Sequence, residues 1–220
     1  MHRQGQDDPS SNPSGPRPGT DDEIREKYLE RAIRELNTLT RELQSCPHGP
    51  RGNLMPVLGS GHPQADIMLL KYSALPSEVE EGVAFYGRAG GALMKSLKRL
   101  SIDPLAVYGT LCVKCPLSDA SLADFACISR VVEEIAIVQP KIVVVMGADA
   151  LAALGEMDIP LARAGGLDSD ALGQIQQLTP MIDALYVPSI DDSLDEQDAK
   201  RAFWAAFRTL GDWYAAQPPY

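Results

Sequence analysis

The chain is short of positive charge. Lys and Arg number 20 against 30 Asp and Glu, a formal net charge of −10 over 220 residues. Nearly all non-specific affinity for nucleic acid comes from basic side chains that neutralise phosphates. The balance therefore argues against a protein built to lie along a polyphosphate, although an acidic chain can carry a local basic groove. Long apolar runs are also missing: none approaches the roughly 18 to 20 residues that span a bilayer. The N-terminal residues lack the apolar core of a signal peptide. These absences lead to the expectation of a cytoplasmic chain with no membrane partner, whose cysteines are reduced thiols or metal ligands. Cysteine is scarce: Cys46, Cys112, Cys115 and Cys127 are the four present. Only Cys112 and Cys115 have close spacing, by itself a weak metal signal.

What is present reads as an α/β chain. Apolar residues make up 45% of it, enough for a real core. Met1 to Thr20 is rich in Pro, Ser, Gly, Gln and Asn, and is expected to be a disordered tail. The folded domain is then expected over residues 21–215. Asp21 and Asp22 open a helix whose apolar face recurs at helical spacing through Leu43 and ends before Cys46-Pro47. Short apolar runs bounded by turn residues predict strands near 65–70, 107–113, 141–146 and 184–187. Helices are predicted over Ala89–Leu100, Leu122–Gln139, Ala148–Leu154 and Asp198–Tyr214. Strands alternating with helices imply a parallel sheet covered on both faces.

Local sequences narrow the reading. Cys46-Pro-His-Gly-Pro-Arg51, Ala65-Asp-Ile-Met-Leu-Leu70, the stretch Phe85 to Met94, Tyr108 to Cys115, Ala126 to Gly147, Val187-Pro-Ser189 and Ala199 to Trp204 occur in this order. In that order they resemble the segments of family-4 uracil-DNA glycosylases, over roughly Glu30 to Leu210. The resemblance implies a three-layer αβα sandwich with a parallel four-stranded central sheet. It also implies an activity: excision of uracil from DNA in base-excision repair, with the base flipped into a pocket.

The residues that would carry that activity are mostly absent. The family's carboxylate position is held by Tyr72, which offers no anion at neutral pH. The preceding glycine position is Lys71. Glu78, Glu80 and Glu81 lie nearby, and one of them as a replacement carboxylate is the alternative to an inactive chain. The uracil-reading Asn aligns with Leu111, and a site without that partner discriminates poorly. The loop His aligns with Val187, which neither donates a hydrogen bond nor carries charge; Ser189 of the same motif is retained. Phe85 matches the stacking aromatic. Tyr72, Phe85, Leu111 and Val187 are expected to line one pocket at the carboxyl ends of the strands. The resemblance further implies an iron–sulfur cluster. Cys46, Cys115 and Cys127 align with three of its ligands, while Leu43 falls at the fourth, with Cys112 as a replacement candidate. The ligand set is incomplete, so no cofactor is expected. The three cysteines should still converge, with Leu43 facing the same space. DNA is expected to bind weakly, because the loop at 190–198 carries Asp191, Asp192, Asp195, Glu196 and Asp198 beside the presumed contact. Together these readings describe a non-enzymatic module on a glycosylase fold, with a protein partner that the residues do not identify.

Overall fold

Runs of apolar residues in extended conformation bury both faces only when helices cover each side. The computed structural model describes residues 20–46, 54–116, 123 and 125–218. The strands β2 (Ile67–Lys71), β3 (Val107–Leu111), β4 (Ile142–Met146) and β6 (Ile182–Val187) run parallel, side by side in the order β3-β2-β4-β6. These are the four predicted strands, and the run at 142–146 is interior as expected. The sheet is nevertheless six-stranded and mixed, which corrects the expected purely parallel four-stranded sheet. β1 (Ser60–Gly61) pairs antiparallel with β3, and β5 (Ile175–Thr179) pairs antiparallel with β6. An antiparallel neighbour needs only a tight turn, here Pro180-Met181, not a helical crossover. β5 escaped the sequence reading because Gln176 and Gln177 lie at its half-buried and exposed positions, so it lacks a strand's apolar run.

Period-2 alternation sorts the strand residues onto two cores. Met68 and Leu70 of β2, with Val143 and Val145 of β4, face one way. They pack against α5 (Arg130–Val138), α6 (Ala148–Glu156) and Leu36 of α1 (Asp21–Gln44). Ile67, Leu69, Ile142, Val144, Leu185 and Val187 face the other way, against α3 (Arg88–Arg99) and α7 (Gln197–Ala215). The layering is thus helix, sheet, helix. The helix predicted at Leu122–Gln139 comes in two pieces, α4 (Phe125–Ile128) and α5; residues 117–122 and 124 lie outside the described set.

The tail prediction for Met1 to Thr20 falls outside the described residues except at Thr20. Thr20 belongs to the helix instead: its hydroxyl accepts from the Glu23 amide, and the Glu23 carboxylate accepts from the Thr20 amide at 2.9 Å. This is a reciprocal capping box, read in sequence as Thr-x-x-Glu.

Candidate functional site

One row of residues crosses the carboxyl ends of the four parallel strands. Leu111 is in register with Lys71, Lys71 with Met146, and Met146 with Val187. Residues side by side in a parallel sheet point to one face, here the face of α3 and α7. Two of the four aligned site positions, Leu111 and Val187, therefore follow from register. Leu111 and Val187 are fully buried, and Leu111 packs with Phe85, Val57 and Ala84. Tyr72 is not brought to them. It lies one residue beyond Lys71, so alternation turns its side chain to the opposite face, against the core of α5 and α6. That corrects the expectation that Tyr72 lines the same pocket.

The residue that does point there is Lys71, 3% exposed. Its ammonium sits 5.5 Å from the centroid of the Phe85 ring. It is held by Glu78 at 2.7 Å, and by the two carboxylate oxygens of Asp191 at 2.9 and 3.2 Å. Glu78 has no exposed surface. It opens α2 (Pro76–Glu81), and its two oxygens are already engaged: Oε1 accepts from the Phe85 amide, Oε2 from the Leu75 amide at 2.6 Å and from Lys71. Asp191 follows β6 and is 25% exposed, the most exposed member of the cluster. Glu80 and Glu81 are exposed on α2. A buried ion pair survives only when further hydrogen bonds satisfy its lone pairs, and this cluster meets that condition.

Phe85 is fixed with unusual force. Its φ of 60° is left-handed, a region that costs a non-glycine residue roughly 1–2 kcal/mol. Close approach on both sides holds it there. A Cβ on Gly109 would meet the ring at 2.5 Å, and a Cβ on Gly90 would meet the Phe85 carbonyl oxygen. Strain maintained by surrounding contacts marks functional positions in many folds.

A second buried charge stands on the opposite face. The Lys114 ammonium, 1% exposed, contacts Glu134 at 2.8 Å and donates to the Leu111 carbonyl at 2.7 Å and to Thr110. Glu134 also accepts from the hydroxyls of Tyr108 and Thr110. Burial beside this carboxylate pushes the Tyr108 phenol far upward. Among the described residues no buried side-chain nitrogen or oxygen lacks a partner. The network pins the end of β3 to α5 and so fixes Leu111.

The four cysteines are free thiols. Leu43 is buried and carries no donor, and Cys112 lies in the core among aliphatic side chains. Burial pushes its thiol up to about 12. Cys115 and Cys127 are buried and Cys46 is half-buried, within electrostatic reach of Arg130. Among the described residues no group of three or more His, Cys, Asp or Glu could hold a metal ion. Pro47 to Arg51 of the first matching segment lies outside the described residues. Ser189 accepts from the Asp192 amide and shapes the turn after β6. In that turn three of the five acids are already matched: Asp191 with Lys71, Asp195 with Arg88 at 2.7 Å, and Asp198 with Arg201 at 3.0 Å. The repulsion of phosphate expected from this loop is correspondingly smaller. No helix among the described residues is long and apolar enough to cross a membrane.

Sequence reasoning missed the Lys71–Glu78–Asp191 cluster. A signal was present: a lysine closing an otherwise apolar strand must bury its ammonium or break the strand, and burial demands carboxylates within reach.

A mixed sheet, parallel at its centre and covered by helices on both faces, defines an α/β protein. Residues 58–208 match the uracil DNA glycosylase superfamily, more than half of the chain, and the protein belongs to that superfamily. It is 28% identical over 130 residues to the type-4 uracil-DNA glycosylase of Pyrobaculum aerophilum, a match covering 57% of this chain and 65% of that protein. The chain thus spans a little under two thirds of that relative's length.

Proposed function

We propose that this chain is a uracil-DNA glycosylase-fold module in which uracil excision has been lost. The observation that carries the reading is the position of Lys71. Its ammonium stands over the Phe85 ring, where a flipped base would stack, and two carboxylates hold it there. The remaining chemistry points the same way. Leu111 cannot read uracil by hydrogen bonds, and Val187 cannot polarise the leaving base. Glu78 offers no free oxygen to a water, since both are engaged in a fully buried setting. The module would act through binding, with DNA held weakly if at all and a protein as the expected partner.

A second reading rests on Asp191. It is a partly exposed carboxylate at the strand ends, beside a cation and near the stacking ring. Should Lys71 swing away, Asp191 is the group able to position a water, and repair activity would persist through it rather than through Glu78, Glu80 or Glu81.

The test is excision from single- and double-stranded oligonucleotides containing uracil, followed by alkaline cleavage of abasic sites. No product above the blank is expected. Product formed by the wild type and abolished in Asp191→Asn would return the chain to the enzymes. Lys71→Gly is expected to stay inactive, because Leu111 and Val187 are unchanged.

A further inference from the structure

A cleft of about 830 Å3 lies between α3 and the segment from Ile190 to Trp204. Lys95, Lys98 and Arg99 line it from α3, and Lys200 lines it from α7. All four are exposed. Among the described residues, Lys95, Lys98 and Lys200 have no acidic partner, and Arg99 stacks on the Trp204 ring at 4.3 Å. Arg88 at one end is matched by Asp195. In a chain of net charge −10, four cations without an acidic partner among the described residues share one concavity. An anion of several charges would meet all of them at once. Ile190, Phe203 and Trp204 give the cleft an apolar wall.

We infer that this cleft binds a nucleoside polyphosphate, with phosphates on Lys95, Lys98 and Lys200 and the ring against the wall of Trp204 and Ile190. Its volume lies inside the range of about 300–1,000 Å3 typical of small-molecule sites. Lysine ammonium groups serve as point charges for phosphate, and a stacked guanidinium offers further donors. A polynucleotide fits less well. Leaving the cleft along the loop, it would meet Asp192 and Glu196, which are exposed and have no basic partner among the described residues. None of Lys71, Glu78 and Asp191 lines the cleft, so the inference holds whether or not that cluster abolishes excision.

The experiment is calorimetric titration of the full chain with ATP without magnesium, inorganic tripolyphosphate, adenosine and an unphosphorylated thymidine decamer. Expected are micromolar binding of ATP that weakens with added salt, weaker binding of tripolyphosphate, and no measurable binding of adenosine. The double variant Lys95→Ala/Lys98→Ala should lose at least tenfold in ATP affinity, and Lys27→Ala on α1 should lose none. Trp204→Phe should weaken ATP but leave tripolyphosphate unchanged. Melting curves check that each variant is folded; the replaced lysines are exposed and hold no partner. The inference is overturned by absent ATP binding at millimolar concentration, by equal affinity in the double variant, or by a decamer that binds tighter than ATP through the same lysines.

Discussion

Replacing Glu78 by Gln removes one negative charge from a site without exposed surface. The carboxylate accepts from the Leu75 and Phe85 amides and pairs with Lys71 at 2.7 Å. A glutamine of the same shape has one acceptor oxygen, and its NH2 group would face either a backbone N–H or the ammonium. At least one donor then loses its acceptor, at about 1–3 kcal/mol for a buried group. Lys71 keeps Asp191, so the ion is not wholly stranded. Breaking a buried pair by removing one partner costs about 3–5 kcal/mol. The loss expected for Glu78→Gln is thus about 3 kcal/mol, a large part of the roughly 5–15 kcal/mol that hold a domain together. Urea unfolding followed by Trp204 and Trp213 fluorescence measures it, as a lower midpoint at unchanged slope. Glu80→Gln on the exposed side of the same helix is the control, expected within about 0.5 kcal/mol of wild type. Native-state hydrogen exchange at the Phe85 amide should quicken in Glu78→Gln alone. A midpoint no lower than that of the Glu80 control would refute the reasoning, since Glu78 would then be solvated and Lys71 unanchored.

The other expectations concern the same frame. Gly109→Ala drives a methyl to 2.5 Å from the Phe85 ring and should destabilise by about 1–3 kcal/mol, read as a lower melting temperature; an unchanged one would mean the ring is not locked. Burial raises Cys112 to about 12, above its unfolded value near 9. Protons are then held more tightly in the folded state, so stability is full below pH 9 and falls as pH rises from there towards 12. Cys112→Ala should flatten that slope in denaturation measured at several pH values, and native Cys112 should resist iodoacetamide at pH 8. Protein purified without oxygen should show no visible iron–sulfur absorption, and stoichiometric iron would contradict the ligand argument.

Much of this architecture was legible in the residues. β-branched runs at 142–146 and the apolar periodicity of α1, α3 and α7 override weak local preferences, because burial on a helix or sheet face dominates their energetics. β1, with two residues, and β5, with its glutamines, carried no such signal and form through pairing with a neighbour. At the site, alignment named Leu111 and Val187, which strand register sets in one row, and Phe85, which packing brings to Leu111. It failed at Tyr72, where counting along a motif ignored that one step along a strand reverses the face. The Lys71 cluster needed three segments, 71, 78 and 191, brought together by tertiary folding, and no spacing along the chain announces that.

The three-way ion cluster also has a bearing on history. Undoing it one residue at a time is uphill. Removing Lys71 first leaves Glu78 and Asp191, which now share one ammonium at 2.7 and 2.9 Å, turned towards each other without a counter-ion. Removing Glu78 first strips two backbone amides of their acceptor. Groups in one contact network do not lose stability additively, and each single removal strands charges or amides that the full cluster satisfies. A lineage that acquired all three side chains would have passed through a ratchet.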